Sequence, residues 1–315
     1  MQNSEKIVAL PHRFDIFLFE AFSNHCLANT VEPLRAANMH ADRSLYEWRF
    51  CTLDGGPVHS SSGLQVAPHG RLSDMSGHTL VVMPSYGVRQ IASRDLDRIL
   101  YKNSARYGRL AGFDMGSWLL GQAGLLDGYR ATIHWDELGS FAERFSEVEA
   151  VRERFVIDRD RITCSGAMAA FDLIIHLIAG DYGPLMAMDV AQLFMSHNGS
   201  GHTMPFGTGG GRIINRALAV MQDTVETPLA IPALARAVGC TQKTLETRMA
   251  SGLQATPQAV YRHVRLTRAR QLVMDTDLPI SEIAQRCGYE NASAMTRAYR
   301  LLFGHAPSAA RRTGG

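Results

Sequence analysis

The chain has 315 residues, of which 46% are hydrophobic and 20% charged, which is the composition of a globular protein long enough for two domains. Its longest apolar runs are shorter than the roughly 20 residues of a membrane-spanning helix, and the N-terminus lacks a signal-peptide pattern, so we expect a cytoplasmic protein with no membrane association. The five cysteines are far apart and lack metal-ligand spacing, which argues against a disulfide framework and a structural zinc site. We expect no metal and no cofactor.

Strand-like apolar runs alternate with helical patterns over residues 1–198, which we predict to be the first domain. The runs are FDIFLF (14–19), WRFCTL (48–53), TLVVMP (79–84) and LAGF (110–113). A hairpin, FVIDRDRITC (155–164), is then followed by two apolar helices, AMAAFDLIIHLIA and PLMAMDVAQLFMSH. The alternation predicts an α/β doubly wound, flavodoxin-like domain with helices on both faces of a parallel sheet.

One segment, RLAGFDMGSWLLGQAGLL (109–126), predicts a strand that turns sharply into a helix, with Gly116 allowing the turn. On folds with a nucleophile elbow, the residue at such a turn is Ser or Cys. Here it is Asp114, followed by Met115, and a carboxylate is a poor acyl-transfer nucleophile. Either the site does other chemistry or it does none. Asp114 is either the N-cap of the following helix or the counter-ion of a cationic ligand.

A glycine-rich stretch, SHNGSGHTMPFGTGGG (196–211), predicts a flexible linker, which we place at residues 199–211. Beyond it the charge changes sign. Residues 216–315 carry 13 Lys and Arg against 7 Asp and Glu, and 12 of the 13 cations are Arg. Arginine favours bidentate contact with phosphates and guanine edges, although a basic face can also be merely solvated.

Residues 212–315, the second predicted domain, contain a repeat. A shift of 49 residues superposes seven identical pairs: Leu229/Leu278, Ile231/Ile280, Ala235/Ala284, Gly239/Gly288, Thr247/Thr296, Arg248/Arg297 and Leu253/Leu302. A small residue, a glycine four positions later and a residue for the core six further on (Leu245, Ala294) meet the steric demands of a helix-turn-helix. We predict an all-α domain with two helix-turn-helix units.

The two units are separated by TPQAVYRHVRLTRARQLVMDT, which predicts one helix of about 19 residues, or about 28 Å. That length lets two recognition helices enter successive major grooves of double-stranded DNA. We expect base contacts from the outward residues at the start of each second helix, with phosphate contact or solvation as the alternative. These residues are Gln242, Lys243, Glu246, Thr247, Ala292, Ser293, Thr296 and Arg297. Arg297 belongs to a repeated pair and could instead be structural.

The last 100 or so residues resemble the AraC/XylS family of transcription regulators. The second copy, ISEIAQRCGYENASAMTRAYRLLFGHAPSAARR, carries the family pattern through Ile283, Gly288, Tyr289, Arg297, Tyr299, Phe303, Gly304, Pro307 and Arg311. Met295 stands where Phe is usual in the family, and the first copy is more divergent. The resemblance implies operator DNA and, for an activator, RNA polymerase as partners, with a homodimer as the assembly.

The N-terminal part resembles the PfpI-like, class I glutamine-amidotransferase-like fold through LVVMPSYG, AGFDMG, LLDGYRATIHW and EPLRAAN. Enzymes of that family carry Cys at the elbow, commonly followed by His, and a carboxylate after the first strand. Asp114, Met115 and Ser23 stand at those positions here. The resemblance is therefore to regulators in which this fold senses a small molecule, often an amino acid or a quaternary amine.

We predict a ligand cleft around Asp114, in which Tyr86, Phe113, Trp118 and Trp135 could cage an ammonium group by cation-π attraction. The same rings could equally be core. The predicted ligand-binding residues are Asp114, Met115, Trp118, Tyr86, Ser85, Ser23, Glu32, His134 and Trp135. Glu32 has a helix-surface salt bridge as its alternative, and His134 and Trp135 a structural role.

These observations predict a transcription regulator, an activator, that responds to an amine-bearing effector bound in a catalytically inactive domain. The first alternative is a PfpI-like hydrolase or deglycase fused to a DNA-binding domain, which Cys at position 114 would have favoured. The second is an architectural DNA binder that needs no sensor cleft.

Overall fold

The structure of the protein, a computed structural model, describes residues 10–194 and 211–313. These residues form two compact units. The first comprises the described residues up to Tyr182 together with Met186–Phe194, and the second comprises Gly183–Leu185 and the described residues from Gly211 onwards. The predicted linker lies outside the described residues except for Gly211, which begins a helix.

Seven strands of the first unit form one sheet in the order β10-β11-β7-β6-β1-β2-β5, and β10 is the antiparallel member. Two small sheets, β3-β4 and β8-β9, flank it. The strands are β1 (His12–Leu18), β2 (Tyr46–Thr52), β3 (Val58–His59), β4 (Gln65–Val66), β5 (Gly70–Arg71), β6 (Gly77–Met83), β7 (Tyr107–Phe113), β8 (Arg130–Ala131), β9 (Glu149–Ala150), β10 (Phe155–Asp158) and β11 (Arg161–Cys164). The four predicted runs and the predicted hairpin are confirmed.

Seven α-helices occur within the described residues 10–194. They are α1 (Asn24–Ala41), α2 (Val88–Ile91), α3 (Arg94–Ser104), α4 (Gly116–Gln122), α5 (Leu138–Arg144), α6 (Ala167–Tyr182) and α7 (Pro184–Phe194). The helix predicted across residues 117–126 ends earlier, at Gln122, because Gly124 adopts a left-handed φ of 70° and the Leu125 N–H bonds to the Leu120 carbonyl. Leu125 and Leu126 remain buried beyond the helix end.

The second unit is helical throughout its described part, residues 211–313. Its helices are α8 (Gly211–Asp223), α9 (Ile231–Val238), α10 (Gln242–Leu253), α11 (Pro257–Asp275), α12 (Ile280–Arg286), α13 (Ala292–Phe303) and α14 (Pro307–Thr313). Helix α11 has the predicted 19 residues. The pairs α9-α10 and α12-α13 are the two helix-turn-helix units.

The turn of each unit contains a glycine in the left-handed region, with φ of 82° at Gly239 and 69° at Gly288. Ala235 and Ala284, where the helices of each pair cross, are buried. A side chain at residue 288 would also collide with the Val225 carbonyl oxygen, 2.6 Å from an ideal Cβ. The predicted turn glycine is confirmed in both copies, and the small residue before it is buried in both.

The core residue predicted for α13, Ala294, is wrong. Leu245 is buried in α10, but the buried residue in α13 is Met295, and Ala294 is only half-buried. The reason is one additional residue in the second turn: α10 begins three residues after Gly239, whereas α13 begins four residues after Gly288. The repeat therefore has an offset of 49 up to the turn and 50 beyond it.

Candidate functional site

The elbow lies at the carboxyl edge of the central sheet. Ser85 follows β6, Asp114 follows β7, and Cys164 ends β11, and these three strands are parallel neighbours in the sheet. The carboxyl ends of adjacent parallel strands form the usual ligand crevice of doubly wound folds. The backbone N–H of Asp114 donates to the Cys164 carbonyl at 3.1 Å, and the His134 N–H donates to the Asp114 carbonyl at 3.4 Å.

Asp114 has a left-handed backbone, with φ of 57°. Such a conformation is strained for a residue with a Cβ, although Asp and Asn adopt it more readily than most. A sharp turn between a strand and a helix with one strained residue is the geometry of a nucleophile elbow, although here the turn is buried. The predicted strand-turn-helix is confirmed, and the residue that takes the left-handed conformation is Asp114 rather than Gly116.

The glycines on either side of the elbow are required by close approach. A Cβ at residue 116 would stand 2.0 Å from the Val82 carbonyl oxygen, and a Cβ at residue 112 would stand 2.7 Å from the Ser117 backbone nitrogen. Helix α4 therefore begins directly against β6 and β7. This packing fixes the position of Asp114.

The Asp114 carboxylate is buried, with 8% of the residue exposed. It accepts a hydrogen bond of 2.9 Å from the Ser85 hydroxyl. Burial raises the pKa of Asp114 above its ordinary value, while the Ser85 hydrogen bond and the nearby His134 oppose that shift. The predicted N-cap role is wrong: the N-cap of α4 is Met115, and no side chain caps this helix, because the Asp114 carboxylate turns toward Ser85.

Two other predicted site residues have structural contacts. Ser23 caps helix α1, accepting a hydrogen bond of 3.2 Å from the Cys26 N–H. Glu32 is half-exposed and pairs with Arg35 at 2.7 Å, which is the helix-surface alternative. Neither contact involves Asp114.

The four predicted aromatic residues do not form a single cage. Phe113 is fully buried, and Trp118 is buried against Phe145 with ring centroids 5.3 Å apart. The Arg89 guanidinium lies over the Trp118 ring, 4.8 Å from its centroid, so a cation of the protein already contacts this ring. Tyr86 and Trp135 are exposed, at 69% and 68%.

Two features near the elbow have no signal in the sequence. Arg89, in the helix after β6, pairs with Glu137 at 2.6 Å and so connects the loop that carries Ser85 to the segment that carries His134. Two buried thiols, Cys26 and Cys164, are close enough to Asp114 for its charge to act on them. Burial raises the pKa of Cys164 to about 12 and that of Cys26 well above its ordinary value, so both thiols are protonated at neutral pH and are poor nucleophiles.

The candidate nucleic-acid interface lies on α10 and α13. Thr241 and Asn291 cap these helices, accepting from the Thr244 N–H at 3.1 Å and the Ala294 N–H at 2.8 Å. All eight predicted base-contacting residues are exposed or half-exposed. With the offset of 50, Gln242 corresponds to Ala292, Lys243 to Ser293, Glu246 to Thr296 and Thr247 to Arg297.

Arg297 is consequently not the structural counterpart of Arg248. The match of these two arginines, like those of Thr247 with Thr296 and Leu253 with Leu302, arises from a constant offset that does not hold beyond the turn. Arg297 is exposed, and no ion pair to it occurs among the described residues. The argument that Arg297 is structural because it repeats Arg248 therefore does not hold.

One arginine of α11 secures the second turn. Arg265 donates to the carbonyls of Cys287 and Gly288, at 2.8 and 2.6 Å, and its guanidinium lies 4.1 Å from the Tyr289 ring centroid. These two carbonyls lie in the turn itself. Arg265 thus fixes the turn that aims α13.

The paired helices, their exposed reader residues and the basic composition define a helix-turn-helix DNA-binding protein. A helix-turn-helix domain model matches residues 234–313. The HTH-type transcriptional regulator CdhR of Pseudomonas aeruginosa is 34% identical over 305 residues, which are 94% of this chain and 90% of that relative. The chain belongs to the AraC family of transcription regulators.

Solved structures resemble the first unit. An AraC family transcriptional regulator from Pseudomonas putida has 30% identity and a TM-score of 0.53, covering 59% of this chain and 100% of that chain. A ThiJ/PfpI family protein from Pseudomonas syringae has a TM-score of 0.51 at 19% identity, covering 80% of this chain and 91% of that chain, which shows the fold alone. The predicted PfpI-type α/β fold joined to an all-α DNA-binding part is confirmed. No helix in the described ranges has the length and hydrophobicity to cross a bilayer.

Proposed function

We propose that the protein is a transcription activator that responds to a small amine-bearing metabolite, an amino acid or a quaternary amine, bound beside Asp114 in a unit without catalytic activity. The observation that carries this proposal is the buried carboxylate at the elbow. One hydroxyl satisfies part of its hydrogen-bonding capacity, and burial penalises its charge. A ligand cation would relieve that penalty.

The elbow geometry supports a binding role more than an enzymatic one. A hydrolase or deglycase of this fold needs a nucleophile at residue 114, and the thiols nearest to it are protonated and buried. Asp114 occupies the nucleophile position, but its carboxylate is suited to binding a cation and not to acyl transfer. The exposed rings of Tyr86 and Trp135 lie on segments that flank the elbow and are candidates for contact with the ligand.

On the DNA side, we propose that α10 and α13 enter successive major grooves of one operator. Glu246 can accept from cytosine N4, and Arg297 can donate a bidentate pair to guanine. Because corresponding positions carry different side chains, the two halves of the operator would differ in sequence.

We further propose RNA polymerase as a partner, a homodimer as the assembly and the cytoplasm as the location.

The test begins with a thermal-shift screen of the full-length protein against amino acids and quaternary amines. Titration calorimetry then compares wild type with Asp114→Asn, using the compound that gives the largest shift. Asn tolerates a left-handed backbone and can still accept from Ser85, so the variant should unfold at nearly the wild-type temperature. Ligand affinity should fall by about 2–5 kcal/mol, the effect of removing one partner of a buried charge pair.

The pH dependence of affinity gives a second readout. The pKa of Asp114 is raised in the free protein, and a bound cation would lower it. Affinity should therefore be highest above the raised pKa and should decrease as the pH falls through it, and Asp114→Asn should lose this dependence. Unchanged affinity in Asp114→Asn would place the ligand elsewhere, and hydrolase or deglycase turnover that persists in purified protein would favour the enzyme.

A further inference from the structure

A pocket of about 220 Å³ lies beside the elbow, between residues 132–138 and residues 152–154. Its lining includes Trp135 and Ser165 but not Asp114 or Ser85, so it shares Trp135 with the proposed amine site but not the carboxylate of that site. Its volume is below that of pockets that hold drug-sized ligands, which indicates a small occupant. We call it the Trp135 pocket.

Apolar side chains form much of the Trp135 pocket. Ile133 is fully buried in the core of the first unit, and Leu138 packs against the same core. The Trp135 ring stands at the pocket with 68% of the residue exposed, supported on one side by the His134 ring at 5.8 Å. An indole that is held in place and largely uncovered offers a flat surface for a planar ligand.

The hydroxyl groups of the pocket already have backbone partners. Its two hydroxyls already donate to backbone carbonyls: Thr132 to Glu153 and Ser165 to Arg154, each at 2.9 Å. These hydroxyl protons are therefore not available to a ligand. The same two bonds hold residues 153–154 in place and make this wall of the pocket rigid.

The charged groups leave one cation free. Glu153 accepts from Arg130 at 3.1 Å, and Arg154 is paired with Asp172. Arg152, which also lines the pocket, is exposed, and no carboxylate within residues 10–194 pairs with it. Its guanidinium has five N–H donors in a fork that matches a carboxylate.

We propose that the Trp135 pocket binds a small aromatic carboxylate, with the ring against Trp135 and the carboxylate on Arg152. A cationic ligand is disfavoured because the carboxylate in the lining, Glu153, is already paired. This site lies beyond the proposed amine site. Its occupant would contact Trp135, the residue next to His134, whose N–H bonds to the Asp114 carbonyl. Binding here could thus influence the elbow.

The test is calorimetric titration of the full-length protein with benzoate, followed in parallel by tryptophan fluorescence. Saturable binding is expected, with benzylamine, which reverses the charge, binding at least about tenfold more weakly. Arg152→Gln should raise the dissociation constant for benzoate at least about tenfold, because a charge-assisted hydrogen bond is lost. Trp135→Leu should weaken binding and abolish the fluorescence change. Both residues are exposed, so both variants should fold.

The matched control is Arg98→Gln, which removes an exposed arginine of α3 outside the pocket and should leave benzoate binding unchanged. The inference is overturned if benzoate shows no saturable binding up to about 10 mM, if Arg152→Gln binds like wild type, or if benzylamine binds as tightly as benzoate.

Discussion

At the scale of single residues, the elbow divides its steric demands between different positions. Asp114 takes the left-handed backbone, while Gly112 and Gly116 provide the space in which α4 meets β6 and β7. Strain and close approach are usually both assigned to glycine in such turns. Here a carboxylate occupies the strained position because its side chain has a partner in Ser85.

Gly116→Ala should destabilise the first unit. The new methyl group would stand 2.0 Å from a backbone oxygen of β6, which cannot rotate away as a side chain could. We expect a loss of about 1–3 kcal/mol or more, as for overpacking in a core, measured by thermal unfolding. The control is Gly180→Ala in α6, where an added Cβ meets nothing within 4 Å and helix propensity should make the change neutral or stabilising. Equal effects of the two substitutions would contradict the close-approach argument.

The sequence predicted the elbow but not the direction of its carboxylate. The apolar run before Asp114 and the glycine after it are local signals, and local signals also favoured a cap. The hydrogen bond from Ser85 joins residues 29 positions apart. The relative position of such residues is decided by strand order, β6 beside β7, and single-sequence patterns do not specify it.

At the scale of elements, the turn of the second helix-turn-helix is held by an arginine from a neighbouring helix. Its turn is longer by one residue, and Arg265 reaches across from α11 to two carbonyls in it. A longer turn has more conformations to lose on folding, and the Arg265 contacts restrict the turn and so fix the orientation of α13. Tyr289, within the extended turn, completes the clamp by covering the guanidinium.

Arg265→Gln should therefore impair the second reader helix selectively. We expect a loss of about 2–4 kcal/mol in unfolding free energy of the second unit, from two charge-assisted hydrogen bonds. Base preference in the operator half read by α13 should relax, while preference in the half read by α10 should remain, as measured by binding to randomised sites. Arg268→Gln, which removes an exposed arginine of the same helix, should change stability by less than about 0.5 kcal/mol. Equal relaxation in both halves would indicate a general loss of structure instead.

The repeat illustrates how far a sequence pattern can be extended. The four identities up to the turn glycines match in space, because α9 and α12 begin and their turns form at the same offset. The three later identities do not, because one inserted residue shifts the second helix. Even so, the eight reader residues chosen from exposure at the helix start correspond in pairs. Position relative to the start of each helix located them better than identity did.

At the scale of the whole molecule, the chain is two compact units, and the DNA-reading elements all belong to the second. Six strands of the seven-stranded sheet were predictable, because β1, β2, β6 and β7 each have seven residues with a clear apolar signal and β10 and β11 form a hairpin pattern. The two-residue strands β3, β4, β5, β8 and β9 were not, because two residues carry no periodicity. The proposed domain limits imply that the second unit can act alone.

Residues 212–315, expressed as a fragment, should bind the operator with the base preferences of the full-length protein. Both reader helices and α11 lie within the fragment. Binding should weaken steeply with salt, because the arginines displace counterions from phosphates. Electrophoretic mobility shift at several salt concentrations measures this, after circular dichroism has established that the fragment is helical. A folded fragment without sequence preference would contradict the assignment of α10 and α13 as readers.

The additional residue in the second turn has a consequence for re-engineering this regulator. One residue turns an α-helix by about 100°, since 3.6 residues complete a full rotation. A chimera that grafts the surface of α13 onto α10 by matching identical letters would therefore present the grafted side chains about a quarter-turn away from the groove. A chimera that counts from Thr241 and Asn291, the two capping residues, would keep them facing the bases. Programming of new operator halves should start from the caps.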